Sequence, residues 1–73
     1  MQSKKEIQAK LGVNIAKARA SKNITQIALA DLLDLERQSI NRIEKGRTNI
    51  SIHLLCKIAE ALEVKPEKLL KFD

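Results

Sequence analysis

The chain has 73 residues, and its 14 Lys and Arg against 9 Asp and Glu give a formal net charge of +5 with one cysteine and one histidine. That length makes one domain over residues 1–73 and leaves no room for a second core. The lone cysteine excludes an internal disulfide, one Cys with one His argues against a structural zinc site, which wants four N/S ligands, and no apolar run approaches the ~18 residues of a membrane helix.

Ala, Leu, Ile, Lys and Glu dominate, which suits an all-α domain. The first helix is expected from about Lys4 to Ser21. Ile7, Leu11, Ile15 and Ala18 share one face at i, i+4, i+8 and i+11, and Gly12 interrupts the pattern without ending it. Thr25 caps a second helix over Gln26 to Leu33, whose apolar residues are Leu29, Leu32 and Leu33. The third covers about Arg37 to Lys45, with Glu36 at its cap and Gly46 at the C′ position that stops it. Ser51 caps a fourth, in which Leu55, Ile58, Ala59 and Leu62 repeat at helical spacing. Pro66 opens a short fifth, followed by Leu69 and Leu70.

Only Asp34, Leu35 and Glu36 separate the second and third helices. Two short helices joined by so tight a turn make a helix-turn-helix unit over about residues 26–45, whose second helix can enter a DNA major groove. Leu29, Leu33, Leu35, Ile40 and Ile43 can converge between the helices, and the small Ala30 permits close approach. On the third helix Ile40 and Ile43 lie ~60° apart and define a buried stripe. Gln38, Asn41, Arg42 and Lys45 group on the opposite side, and Arg37 stands at the helix start. Arginine can pair with guanine through two hydrogen bonds, and Gln or Asn can do so with adenine. Gln26 at the start of the second helix, and Arg47, Thr48 and Asn49 after the third, are placed to hold phosphates.

Charge is distributed in keeping with that reading. Residues 1–30 carry six cations and one anion, and residues 37–48 carry four cations and Glu44. Between them, Asp31, Asp34 and Glu36 stand without a cation. A basic N-terminal part with a balanced C-terminal part fits a polyanion on one side of the molecule.

The segments "LGVNIAKARASKNITQIALADLL" and "ERQSINRIEKGRTNISIHLLCKIAEALEVKPEKLL" resemble the Cro/C1-type, or XRE, helix-turn-helix family from about Leu11 to Phe72. The resemblance implies a compact five-helix, lambda-repressor-like domain that reads DNA with its third helix and works as a symmetric dimer. By position it assigns base contacts to Arg37, Gln38 and Arg42, backbone or secondary base contacts to Ser39 and Asn41, and a phosphate contact to Gln26. It also implies that Glu44, on the protein side of its helix, pairs with Arg19. Asp34 stands where the family often has Gly, and Glu36 where Ser or Thr is common. Glu36 could cap the third helix or accept a hydrogen bond from a cytosine amino group. The length and the run "RTNISIHLLCKIAEALEV" resemble the small controller proteins of restriction–modification systems.

The expected partners are double-stranded DNA and a second copy, with no cofactor, metal, membrane or small-molecule ligand. One helix reads only a few base pairs, so two copies on a pseudo-palindrome are needed for useful discrimination. The dimer surface is placed on the fifth helix and the adjoining end of the fourth, with Leu69, Leu70 and Phe72 as candidates; Leu69 or Leu70 can instead belong to the core, and Phe72 either plugs the core or joins the dimer contact. The alternative is an antitoxin or bridging module whose main partner is another protein; such a module would be expected to lack the Arg37, Gln38 and Arg42 set. An enzyme is the poorest reading, since His53 and Cys56 have no supporting constellation and read as surface and packing residues. No secretory h-region follows Met1, which makes the cytoplasm the expected location.

Overall fold

The computed structural model describes residues 2–72. Ser3 and Glu6 start the first helix, α1 (Lys4–Ser21), with a reciprocal cap. The Glu6 N–H donates to Ser3 Oγ, and the Ser3 N–H donates to Glu6 Oε1, both at 3.2 Å. Thr25 starts α2 (Gln26–Leu33) by accepting from the Ala28 N–H, and Ser51 starts α4 (Ile52–Leu62) by accepting from the Leu54 N–H. Glu36 occupies the N-cap position of α3 (Arg37–Glu44), but its side chain makes no capping bond. Glutamate is one methylene longer than the side chains that close this geometry well, so the capping role read from the sequence is not taken. Lys45, expected inside α3, caps its C-terminus instead. Pro66 begins α5 (Pro66–Leu69).

Four helix ends share one closure, in which a residue with positive φ turns the chain and the next N–H donates back to a helical carbonyl. The left-handed residues are Asn23, Asp34, Gly46 and Glu63. The returning donors are Ile24 to Arg19, Leu35 to Ala30, Arg47 to Arg42 and Val64 to Ala59. Asp34 thus makes the turn of the helix-turn-helix unit at φ 56° without glycine, as a short polar side chain allows.

Every helix contributes to one core. Leu11 and Ile15 come from α1, Leu29 and Ala30 from α2, and Ile40 and Ile43 from α3. Leu55, Ile58, Ala59 and Leu62 come from α4, and Leu69 from α5. α3 packs against both α1 and α2, while α4 joins α2 to α5. Leu33, Leu35 and Phe72 pack at the margin. Ile7, expected on the buried face, is half-exposed, because the first turn of α1 precedes its contacts with the other helices. Leu32 is also exposed, on the side of α2 away from the core.

The junction of α1 with the end of α3 uses both glycines of the chain. A Cβ on Gly12 would lie 2.5 Å from the Glu44 carbonyl oxygen and 2.6 Å from that of Ile43. A Cβ on Gly46 would lie 2.6 Å from Ala9 Cα. Gly12 therefore costs α1 some helix propensity and gains a backbone-to-backbone approach that no other residue permits.

Candidate nucleic-acid interface

The burial of α3 divides its surface. Ile40 and Ile43 are 1% and 4% exposed and anchor the helix. Arg37, Gln38, Arg42 and Lys45 are exposed, and Ser39 and Asn41 are half-buried beside them. Among the described residues, Arg37, Gln38, Asn41 and Arg42 form no intramolecular side-chain hydrogen bond. Their donors and acceptors are open on one side of the molecule.

The protein side of α3 is held by charge as well as packing. Arg19 Nε donates to Glu44 Oε2 at 2.6 Å and Nη2 donates to Glu44 Oε1 at 3.1 Å, a two-bonded ion pair with side chains 18% and 6% exposed. Arg19 Nη1 also donates to the Ile24 carbonyl at 2.8 Å, tying the end of α1 into the same site. The hydrogen bonds to Glu44 raise the Arg19 pKa above its ordinary value, against the opposing effect of burial, and the carboxylate charge adds to the rise.

Gln26 enters this cluster. Its Nε2 donates to Glu44 Oε1 at 3.0 Å, so the side chain read from sequence as a free phosphate ligand is partly committed to the protein. The first N–H groups of α2 remain open, as helix geometry requires, beyond the one that Thr25 caps. An anion at this end would meet those N–H groups and the positive end of the helix dipole.

After α3, Arg47 and Asn49 are exposed and Thr48 is half-buried. Thr48 shares a shallow cavity of about 300 Å³ with Ser39 and Arg42, so the loop after α3 sits beside the open polar edge of that helix. The structure thus brings Ser39, Arg42 and Thr48 together, with Arg37 and Gln38 at the open start of α3. Glu36 is exposed at that start.

The expected dimer residues separate. Leu69 is 1% exposed and belongs to the core, which removes it from any interface: its side chain is spent inside the monomer. Leu70 is 44% exposed. Phe72 is half-buried, packed against the core beside α1. Cys56, read as a packing residue, is exposed instead, as is His53. Among the described residues no helix is long and apolar enough to cross a membrane.

Sequence reasoning missed the Gln26–Glu44 bond and the close approach at Gly12. A glycine inside a helix is the visible signal for the second; the first has none, because a solvated glutamine and a bonded one look alike in sequence.

Comparison with known proteins places this geometry. A family model described as "Helix-turn-helix" matches residues 15–69. The control protein C.BamHI of Bacillus amyloliquefaciens is 42% identical over 62 residues, covering 84% of this chain and 76% of that protein. The restriction–modification controller C.AhdI from Aeromonas hydrophila superposes with a TM-score of 0.81 at 32% identity, covering 85% of this chain and 94% of that one. The controller C.Esp1396I, solved as a tetramer in complex with its natural 35 base-pair operator, gives 0.75 at 32% identity, covering 89% and 96%.

Proposed function

The chain belongs to the helix-turn-helix family of DNA-binding transcription regulators, and we propose that it is the controller protein of a restriction–modification system. It reads a pseudo-palindromic operator as a homodimer with α3 in the major groove. Arg37, Gln38, Asn41 and Arg42 contact base edges. Ser39, Arg47, Thr48, Asn49 and the amino end of α2 at Gln26 hold phosphates. The observation that carries this reading is the division of α3, whose cationic and amide side chains stand open opposite a buried isoleucine stripe. Support for the controller role comes from the two named controllers of known structure and from C.BamHI.

Residues 1–73 act as a single domain in the cytoplasm, without catalytic activity. The dimer contact uses Leu70 and the exposed edge of α4, the helix against which α5 packs; Ile52 on α4 is 73% exposed. Selection of bound sequences from random DNA by the purified protein tests the reading. A two-fold symmetric motif is expected, and no enrichment overturns it.

A further inference from the structure

A second surface lies between α1 and the C-terminal tail. Two cavities of about 290 Å³ each share Asn14 and Lys17, so they adjoin as the two halves of a groove along α1. Lys10, Lys17, Lys68 and Lys71 line it, and among the described residues no carboxylate does. Its floor is apolar: Val13, 47% exposed, lies with Phe72 at one end, and Ala18 and Leu69 lie at the other. The wall is fixed, because Asn14 Nδ2 donates to the Leu69 carbonyl at 2.8 Å and to the Lys71 carbonyl at 3.1 Å. A single amide thus pins the tail alongside α1.

The groove does not belong to the reading face. Lys10, Asn14, Lys17 and Ser21 follow one helical stripe, whereas Gly12, which meets the backbone of α3, lies about 140° around α1 from Lys17. A duplex engaged by α3 leaves the stripe open. From Ala9 to Ser21 the groove runs about 18 Å along the helix, the length of five or six extended residues. Four ammonium groups favour an anionic occupant. Exposed Val13 and the Phe72 ring favour one that also brings apolar side chains, which a phosphate backbone lacks.

We propose that the α1–tail groove docks a short, extended acidic segment of a partner protein, its apolar side chains on Val13 and Phe72 and its carboxylates among the four lysines. The test uses the ¹⁵N-labelled full chain titrated with the peptide acetyl-ELDELE-amide, with a version carrying Ser for both Leu, and with acetyl-DLLDLE-amide, the sequence of residues 31–36. Amide shifts are expected at Val13, Asn14, Lys17 and Phe72. The Ser version and the Lys10→Gln/Lys17→Gln variant should each weaken binding about tenfold, with operator affinity of the variant within about twofold of the parent. Absence of shifts at millimolar peptide overturns the proposal, as do shifts centred on α3 or equal binding of the Ser version. An equal loss of operator affinity in the variant would make the groove a phosphate track. Binding of the 31–36 peptide alone, with assembly beyond the dimer that the variant abolishes, would make the occupant a second copy. Either result also overturns it.

Discussion

Gln26 and Glu44 are joined by a 3.0 Å hydrogen bond across the helix-turn-helix unit. The same carboxylate accepts twice from Arg19, so α1, α2 and α3 meet at one side chain. The spacing of α2 and α3 thus depends on this cluster as well as on Ala30 and the isoleucines.

Glu44→Gln should therefore destabilise the fold by about 2–3 kcal/mol, because it leaves a mostly buried guanidinium without its anion. Urea denaturation measures this. A loss below about 0.5 kcal/mol would class the pair with ordinary surface ion pairs. The sign of the Arg19 shift adds a pH statement. Its folded pKa is raised above the ordinary guanidinium value by the hydrogen bonds to Glu44, so its contribution is complete below the unfolded value and is lost only as strongly alkaline pH climbs through the folded one. Stability between pH 6 and 10 should show no step from Arg19.

Acid acts at the other end of α1. The Ser3 backbone N–H, then its hydroxyl, hold the Glu6 carboxyl below its ordinary 4.5, and Lys10 adds a smaller push. A depressed carboxylate stabilises above its unfolded pKa and loses that contribution as the pH falls through the folded one. The Ser3 amide resonance should titrate with a midpoint below 4.5, and Ser3→Ala should move the Glu6 midpoint upward. An unchanged midpoint would refute the cap as its cause.

The glycines make an opposed pair of expectations with Glu63. Gly12→Ala and Gly46→Ala each place a methyl under 3 Å from backbone, and each should cost about 1–3 kcal/mol. Glu63 holds φ 57° with a full side chain, so Glu63→Gly should gain about 0.5–1 kcal/mol. Thermal midpoints distinguish the two directions.

On DNA, Arg37→Ala or Arg42→Ala should relax preference at one operator position by about 1–3 kcal/mol. Arg47→Ala should weaken all sequences alike and lower the salt slope by about one. Unchanged sequence preference in both reading-face variants would remove α3 as the reader. Gln26→Ala should weaken binding evenly and also lower stability, since its amide serves Glu44.

For assembly, Leu70→Glu should shift the monomer–dimer equilibrium toward monomer without changing the monomer's thermal midpoint. Leu69→Ala should cost about 2–5 kcal/mol of stability, as a buried leucine does. Sedimentation equilibrium beside calorimetry separates the two. A dimer unaffected by Leu70→Glu would move the interface elsewhere.

Most of the architecture was legible because it is written in local chemistry. Thr25, Ser51, Gly46 and Pro66 mark helix ends whatever the tertiary context, and the spacing of Ile40 with Ile43 gives α3 its orientation. Leu69 and Leu70 show where that legibility stops. Two adjacent leucines, one the last residue of a four-residue helix and the other its C-cap, carry no periodicity, so only packing against α1 and α4 could decide which is core. Gln26 and Asn14 fail for a related reason. Their partners lie 18 and more than 50 residues away, and one amide side chain looks like another until the chain has folded.

The two faces of α3 also bear on how such a regulator changes over time. Ile40, Ile43 and Glu44 carry the cohesion, while among the described residues Arg37, Gln38, Asn41 and Arg42 carry none through side-chain hydrogen bonds. If α3 reads the operator as proposed, substitutions at those four positions alter the recognised sequence and leave the fold nearly untouched. A gene copy could drift to a new operator one base pair at a time, with no loss of foldability along the way.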